Sequence, residues 1–395
     1  MIKDKIRRLA ADNHNAIVAC RRHLHANPEL SYKEVETGKY IANQMQEIGI
    51  PFEHGMADNG VVGLIKGKNP DKKVIALRAD MDALPILEAN NVPYKSKNEG
   101  VMHACGHDAH TASLIGTARI LHALKDEFEG TIKLIFQPAE ERFPGGASIM
   151  IKEGVLNNPA PVNIFGQHVH PPLEAGKIGL KGGIYMASAD ELYVTVTGRG
   201  GHGALPQDCI DPVVIAAHLI TAIQQLVSRQ SDPTMPTVVS FGKVIANGAT
   251  NVIPNEVKME GTFRTFDENW RNEAHKRMVK LATSIAESMG GKCDFFIKRG
   301  YPFLFNNEAL AAKVKERAIA YLGRENVVDL PIRMTAEDFS YFSHEIPGVF
   351  YRLGTGNVEK GITSPVHTNT FDIDESSLEL STGLMAWLAL QELEN

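Results

Sequence analysis

The sequence predicts an α/β domain that is interrupted by a smaller, ferredoxin-like α+β domain. Apolar, strand-like runs end repeatedly in polar residues, with helical segments between them, which is the layer pattern of an α/β fold. Between residues 186 and 299 the order becomes β-α-β-β-α-β, that of a ferredoxin-like unit. The length of 395 residues suffices for two or three domains. We therefore predict one domain over residues 1–185 and 300–395, and an inserted domain over residues 186–299.

The composition is that of an ordinary globular protein, with 43% hydrophobic and 22% charged residues. A formal net charge of −6 indicates no basic surface for nucleic acid. We find no run of roughly 18 apolar residues that would span a membrane. The four cysteines are far apart and the N-terminal segment is polar. These features predict reduced thiols, no secretion signal and a cytoplasmic location.

Helical and strand patterns alternate in the N-terminal part of the chain. They cover residues 4–24, 34–48, 61–66, 73–78, 108–125, 131–136 and 162–165. Asp80 and Asp82 come just after the second strand pattern. Open α/β sheets place their ligands at the carboxyl ends of strands, so we expect these two carboxylates near a site.

The inserted segment and the C-terminal part follow the same periodicity arguments. In the insertion we predict strands at residues 191–197, 237–245, 256–265 and 293–298, and helices at residues 211–227 and 269–289. A helix at residues 307–322, a strand near residues 349–353 and a helix at residues 376–393 are then expected to complete the first domain.

A cluster of metal-ligand residue types occupies residues 103–110, His-Ala-Cys-Gly-His-Asp-Ala-His. Thiolate and neutral imidazole are ligands that Zn²⁺ prefers. In an extended segment, Cys105 and His107 would point to the same side. The alternative is a histidine-rich surface turn with a buried structural cysteine. Further ligand-type residues downstream favour the metal site: Glu140, Glu141, His168, His170 and His367.

Each downstream candidate also has a purely structural interpretation. Glu140 and Glu141 are adjacent carboxylates, which repel unless a cation or a shared proton relieves them. On a surface loop they would simply be solvated, whereas beside a two-metal site one would bind metal and the other would accept a proton from water. His168 and His170 would fit an edge strand with one histidine pointing outward. His367 would be an exposed loop histidine without a function.

The inserted segment contains a glycine-rich stretch around His202, at residues 198–203. It lacks the Lys-Ser/Thr of a phosphate-binding loop, so the glycines indicate close backbone packing around His202. Arg264 lies further along the same segment. It is either a strand-end ion-pair residue or a fork for a carboxylate.

Taken together, these stretches resemble the peptidase M20 family. The similar motifs are at residues 103–108, 137–141, 166–169, 200–203, 251–254 and 336–340. The His-Ala-Cys-Gly-His-Asp form is similar to the amidohydrolase branch, which includes N-acyl-L-amino-acid amidohydrolases, hippurate hydrolases and auxin-conjugate hydrolases. The resemblance covers nearly the whole chain.

This resemblance implies a mixed-sheet catalytic domain with a two-metal site, and an inserted domain that serves as lid and dimer interface. It implies two divalent metal ions per subunit, with zinc favoured by the Cys and His ligands and manganese, cobalt or nickel as alternatives. Asp80 and Asp82 would support the ligands without binding metal. The implied metal ligands are Cys105, His107, Glu141, His168 and His367.

The resemblance also implies roles for residues around the metals. Glu140 would be the general base, and His202 would reach the active site of the partner subunit and stabilise the oxyanion. Asn251 and Arg264 would hold the carboxylate of the substrate.

The resulting hypothesis is a homodimeric, metal-dependent amidohydrolase that cleaves the amide of an N-acyl L-amino acid. Its products would be a carboxylate and a free amino acid. A dipeptidase or another amino-acid-conjugate hydrolase would use the same site. A non-enzymatic metal-binding or ligand-binding homologue is disfavoured, because the base and all five ligands are present.

Overall fold

The computed structural model describes residues 2–394, which divide into two compact units. The first unit extends to Tyr185 and also contains Phe305–Ile332 and the chain from Asp338 onward. The second unit contains Met186–Leu304 and Arg333–Glu337. The short segment Arg333–Glu337 follows no sequence pattern that would assign it to the inserted part.

Helices and strands alternate along the chain. The α-helices are α1 (Ile2–Ala26), α2 (Val35–Ile48), α3 (His107–Ala123), α4 (Gly146–Lys152), α5 (Pro212–Gln225), α6 (Glu268–Ser288), α7 (Glu308–Leu322), α8 (Phe339–Glu345) and α9 (Ser377–Glu394). The strands are β1 (Phe52–Met56), β2 (Gly60–Lys66), β3 (Val74–Asp80), β4 (Thr131–Gln137), β5 (Asn163–Glu174), β6 (Ile178–Leu180), β7 (Gly183–Met186), β8 (Asp190–Thr197), β9 (Gly201–His202), β10 (Val238–Ile245), β11 (Val252–Ile253), β12 (Glu256–Arg264), β13 (Lys292–Arg299), β14 (Leu304–Asn306), β15 (Val327–Asp329) and β16 (Gly348–Gly356). Within residues 2–394, no helix combines the length and the apolar character needed to cross a membrane.

The first unit is built on one mixed sheet with the strand order β1-β2-β4-β3-β5-β16-β6-β15. The central strands β4, β3, β5 and β16 are parallel, and β1 and β2 pair in antiparallel fashion. β6 is antiparallel to β16 but parallel to β15. Every residue of β3 and β4 is buried, as expected for parallel strands covered on both faces. Helices α1, α3 and α9 pack together and share the hydrophobic core with the sheet. The predicted α/β class is confirmed.

Strand β5 differs from its sequence pattern. The apolar pattern stops at residue 165, yet the strand continues through His168 and His170. Pairing with β16 continues the backbone hydrogen bonds past the polar residues, with His168 opposite Arg352. β5 lies between β3 and β16, but its pairing with β3 ends at Gly166, so His168 and His170 lie in a part of the strand that pairs with β16 alone.

The second unit has an antiparallel four-stranded sheet with the order β10-β12-β8-β13. Its elements follow the predicted β-α-β-β-α-β order, as β8, α5, β10, β12, α6 and β13. In β8, buried Leu192, Val194 and Val196 alternate with more exposed residues, so one face of the sheet carries the core. The N-cap carboxylates of Asp211 and Asp267 accept hydrogen bonds from the first turns of α5 and α6. A separate ribbon pairs β9 with β11.

Candidate metal centre

The candidate metal centre lies at the carboxyl ends of three neighbouring strands. β3 ends at Asp80, and β4 ends at Gln137, three residues before Glu140. These strands pair in parallel with Asp80 opposite Gln137, so their ends share one edge of the sheet. β5 pairs in parallel with the other side of β3 and then continues to His168. Residues that are distant in sequence therefore meet at this edge.

Gly106 shapes the Cys105-Gly106-His107 turn. It is the N-cap of α3, with a left-handed φ of 86°, and His107 is the first residue of that helix. A Cβ atom on Gly106 would lie 2.5 Å from a methyl group of Val169, so only glycine fits here. The expectation of an extended segment is thus wrong. Nevertheless, the side chains of Cys105 and His107 converge on the same place as His168.

Three overlapping groups of side chains are each close enough to hold a metal ion: Cys105, His107 and His168; Cys105, Glu141 and His367; and His107, Glu140 and Glu141. The ligand atoms of each group lie within 4.8 Å of one another. Cys105 Sγ lies 3.3 Å from His168 Nε2, and His367 Nε2 lies 3.2 Å from Glu141 Oε1. The structure thus brings together all five predicted ligands and the predicted base. Because the groups share members, they support a site for two divalent metal ions.

His367 enters this cluster from a C-terminal loop. Its backbone N–H donates to the carbonyl of Ala104 at 2.7 Å. Its φ of 64° is in the left-handed region, which non-glycine residues adopt at an energetic cost and often at functional sites. The side chain is 52% exposed. The cluster is therefore accessible to solvent on the His367 side.

The buried imidazoles are oriented as metal ligands. His107 Nδ1 lies 3.1 Å from Asp82 Oδ1, and its buried Nε2 has no hydrogen-bond partner in the described chain. His168 Nδ1 donates to the carbonyl of Val169 at 2.7 Å, so its Nε2 is the acceptor that faces Cys105. In metal-binding histidines, a hydrogen bond from the ring nitrogen that does not bind metal fixes the tautomer. His107 Nε2 and His168 Nε2 are therefore available to bind a divalent cation.

Asp82 supports two of the ligand residues at once. Its Oδ1 faces His107, and its Oδ2 accepts hydrogen bonds from Ser31 Oγ at 2.6 Å and from the backbone N–H of Glu141 at 3.0 Å. The carboxylate is 1% exposed. Two of these three contacts of Asp82 therefore involve predicted metal ligands, His107 and Glu141.

Asp80 makes different contacts. Its Oδ2 accepts from Arg78 Nη1 at 2.7 Å, and its Oδ1 accepts from His110 Nδ1 at 2.6 Å. His110 Nε2 in turn accepts from the backbone N–H of Val169 at 2.9 Å. Asp80, His107 and His110 are also close enough to share a metal ion. However, both nitrogens of His110 are already hydrogen-bonded, so we do not assign it as a ligand.

Asp338 is a residue of this region that sequence reasoning missed. Its carboxylate accepts from Arg78 Nη2 at 2.7 Å, from Gln137 Nε2 at 2.7 and 2.9 Å, and from the backbone N–H of Ala147 at 3.0 Å. Its own backbone N–H makes a long contact of 3.4 Å with Glu140 Oε1. The motif at residues 336–340 is a sequence signal, but it does not indicate the buried arginine that Asp338 meets.

The charges of the cluster favour a cation. Burial alone would lower the pKa of His107, but the charge of Asp80, the contact with Cys105 and the hydrogen bond to Asp82 together raise this pKa well above its usual value. Hydrogen bonds to Cys105 and then to Glu141 raise the pKa of His367 to about 10. Burial raises the pKa of the Cys105 thiol. Protons therefore balance the carboxylates, and a metal ion that displaces them would find an anionic ligand set.

The remaining predicted residues lie in the second unit. His202 in β9 pairs with Val252 in β11, and Asn251 immediately precedes that strand. His202 Nδ1 accepts from the backbone N–H of Ala204 at 3.1 Å, which leaves Nε2 as a donor. Arg264 ends β12 in the other sheet, half-buried and without an ion pair in the described chain. The structure thus brings His202 and Asn251 together.

Residues 76–391 match the family described as peptidase family M20/M25/M40. The chain belongs to this family. Over 378 residues, covering 95% of each chain, the M20 protein is 41% identical to thermostable carboxypeptidase 2 of Saccharolobus solfataricus. Over 306 residues, 78% of this chain and 82% of the relative, it is 43% identical to an N-acyl-L-amino acid amidohydrolase of Geobacillus stearothermophilus.

A solved structure gives the same result for the fold. A Bacillus subtilis protein, described as a dinuclear metal binding peptidase from the M20 family, has a TM-score of 0.83 and 38% identity. The match covers 97% of this chain and 99% of the other. The resemblance seen in the motifs is confirmed, and the M20 protein is a metal-dependent hydrolase.

Replacing Cys105 with alanine should reduce the metal content of the purified M20 protein. Cys105 belongs to two of the three ligand groups, so we expect a loss of affinity larger than the roughly 10–100-fold loss typical of residues that only support ligands. The matched control is Cys20→Ala, because Cys20 is also buried but lies in the hydrophobic core. Metal per subunit would be measured by inductively coupled plasma mass spectrometry. Equal metal content in the two variants would contradict the assignment of Cys105.

Proposed function

We propose that this M20 enzyme cleaves the amide bond of N-acyl L-amino acids and releases a carboxylate and a free amino acid. The observation that carries the proposal is the convergence of five donor side chains and one further carboxylate, Glu140, on one edge of the sheet. The Geobacillus relative is named for this class of substrate.

The residues that would hold the two metal ions are Cys105, His107, Glu141, His168 and His367. Thiolate and imidazole ligands favour Zn²⁺, and Mn²⁺, Co²⁺ and Ni²⁺ are alternatives because geometry and availability decide occupancy as much as affinity. When bound, such ions polarise a carbonyl and make water more acidic.

We assign Glu140 as the general base. It would accept a proton from the attacking water and deliver it to the leaving amine. Its carboxylate is 6% exposed, and its Oε2 lies 4.0 Å from His107 Nε2, beside the ligands. Asp82 would hold His107 and Glu141 in place, and Asp80 would add negative charge behind them, so neither would bind metal itself.

We propose that the inserted domain, residues 186–299, serves as lid and dimer interface. His202 of the partner subunit would then donate from Nε2 to the oxyanion. Asn251 and Arg264 would hold the carboxylate of the substrate, a role supported by the absence of an ion pair at Arg264 within residues 2–394. The four free cysteines support a reducing, cytoplasmic location.

The test is a mass-spectrometric screen of the purified protein against N-acetyl, N-benzoyl and longer N-acyl amino acids together with dipeptides. The protein would be stripped of metal and then supplied with Zn²⁺ or Mn²⁺. We expect metal-dependent consumption of the N-acyl amino acids. No turnover by folded, metal-loaded protein would instead favour the non-enzymatic alternative.

A second candidate function is peptide hydrolysis with the same site. It is supported by the name of the Saccharolobus relative, a carboxypeptidase. The two functions differ in the group on the acyl side of the amide, since a dipeptide carries a free amine there. Cleavage confined to dipeptides in the same screen would favour this candidate over the first.

Mixing two inactive variants should restore activity if His202 acts across a dimer. His202→Ala subunits retain Glu140, and Glu140→Ala subunits retain His202, so a hybrid dimer contains one complete site. After subunit exchange at equal amounts, about half of the dimers are hybrids with one complete site each, so roughly a quarter of wild-type activity should return. Exchange would be verified with differently tagged subunits. Complete exchange without any recovery would argue against the role of His202 in the partner's site.

A further inference from the structure

A cavity of about 460 Å³ lies in the first unit, on the side of the sheet where β1, β2 and β4 are neighbours. Its volume falls in the range of roughly 300–1,000 Å³ that is usual for small-molecule sites. Phe52, Val62 and Leu64 contribute apolar walls, and Lys133 of β4 contributes a cation. None of these residues belongs to the candidate metal centre. The cavity is therefore a second concave site on the same unit.

Lys133 is a buried cation that forms no ion pair in the described chain. It is only 3% exposed, and its Nζ donates to the carbonyls of Val155 at 2.7 Å and Asn157 at 2.6 Å. An ammonium has three donors, and the described chain supplies no acceptor for the third and no ion pair. Burial lowers the pKa of Lys133 to about 8 against the opposing charge of Glu53, so the amine is still mostly protonated at neutral pH.

A purely structural explanation is that Lys133 only holds in place the loop that carries the carbonyls of Val155 and Asn157. Neutral carbonyls satisfy hydrogen bonds, but they do not neutralise a charge that has been removed from water. A buried charge is normally paired. An anionic group in the cavity would provide both the missing acceptor and the missing charge.

Two exposed carboxylates line the same cavity, Glu53 and Glu153. Glu153 Oε2 accepts from the backbone N–H of Ala57 at 2.7 Å, and its other oxygen has no partner in the described chain. The side chain of Glu53 makes no hydrogen bond within the described chain. One buried cation, two exposed anions and apolar walls match a zwitterion with an apolar side chain. A simple carboxylate would be repelled by the two glutamates, and a simple amine by the lysine.

We propose that this cavity binds a free α-amino acid with an apolar side chain. The carboxylate of the ligand pairs with Lys133, its ammonium faces Glu53 and Glu153, and its side chain packs against Phe52 and Leu64. Such an amino acid is one of the two products of the proposed reaction. That connection rests on the proposed function, whereas the binding site itself rests only on the cavity.

The experiment is isothermal titration calorimetry on the metal-loaded enzyme, with L-leucine as the probe. L-Leucinamide lacks the carboxylate, and 4-methylpentanoate lacks the ammonium. Lys133→Met keeps the length of the side chain and removes the buried charge, but it also removes the donor to the carbonyls of Val155 and Asn157, so its folding is verified by urea unfolding before the titration. Lys66→Met is the matched control, because Lys66 is an exposed lysine of β2 that does not line the cavity.

We expect leucine to bind at a site that Lys133→Met weakens at least 10-fold and Lys66→Met leaves intact, with both analogues at least 10-fold weaker than leucine. The kcat of both variants should stay within about twofold of the wild type. Leucine binding that is identical in Lys133→Met and the wild type would overturn the proposal, as would 4-methylpentanoate binding as tightly as leucine. Binding that depends on Lys133 in a protein without amidohydrolase activity would refute the proposed function alone.

Discussion

Replacing Glu140 with glutamine should lower kcat by at least ~10²-fold, the lower range for loss of a general base. Glutamine keeps the size and the hydrogen-bonding oxygen of the side chain but cannot accept a proton from water. Because Glu140 is absent from both ligand groups that contain Cys105, the variant should retain its two metal ions. The measurement combines steady-state kinetics with the metal content of the same preparation.

Glu141→Gln is the matched control for that experiment. Glu141 is the next residue, is part of two ligand groups and lies 3.2 Å from His367 Nε2. We expect this variant to lose metal and activity together, whereas Glu140→Gln loses activity alone. Near-normal turnover of Glu140→Gln would disprove the assignment of the base, and loss of metal by both variants would make Glu140 a ligand instead.

Replacing Asp338 with asparagine should have the largest effect on stability, about 3–5 kcal/mol, which is typical for breaking a buried ion pair. Both carboxylate oxygens of Asp338 accept hydrogen bonds, from Arg78, Gln137 and the backbone N–H of Ala147. The amide group of asparagine would therefore point N–H groups at other donors in either orientation. The loss would be measured by urea unfolding with an unchanged m-value.

The same substitution should also lower kcat of the folded enzyme, because the backbone N–H of Asp338 contacts Glu140. Glu392→Gln is the matched control. Glu392 is equally buried and binds Lys73, Asn163 and Arg317, but these residues lie away from the metal cluster. We expect both variants to be destabilised and only Asp338→Asn to show a reduced kcat with metal still bound. An equal kcat in the two variants would reduce Asp338 to a purely structural residue.

The sequence alone was sufficient to predict much of the fold and to select the residues of the site. Strands and helices have distinct periodicities, so the mixed α/β unit and the β-α-β-β-α-β insertion were visible in the pattern of apolar residues. Short strands such as β1 and β15 were not visible in this pattern, because they owe their conformation to pairing with a neighbour. The ligand candidates were visible because Cys, His and Glu side chains carry the chemistry of metal binding in themselves.

Local geometry within the motifs required the tertiary structure. The extended conformation expected around Gly106 gives way to a left-handed helix cap, because Val169 packs against the position a side chain would occupy. Strand β5 continues through His168 because β16 pairs with it, although its own sequence pattern ends earlier. In both cases the deciding contact comes from a residue far along the chain.

The sequence by itself determined the family, the chemistry of the ligands and the order of the elements, since these depend on residue types and local periodicity. Only the tertiary structure decided which charges meet. Arg78 and Asp338 are separated by 260 positions and pair only because β3 and the start of α8 pack together. Lys133 sits in an otherwise apolar strand pattern, and only packing shows that its charge is buried beside a cavity. Electrostatic partners are set by distances in space, and these distances depend on how segments far apart in the sequence pack together.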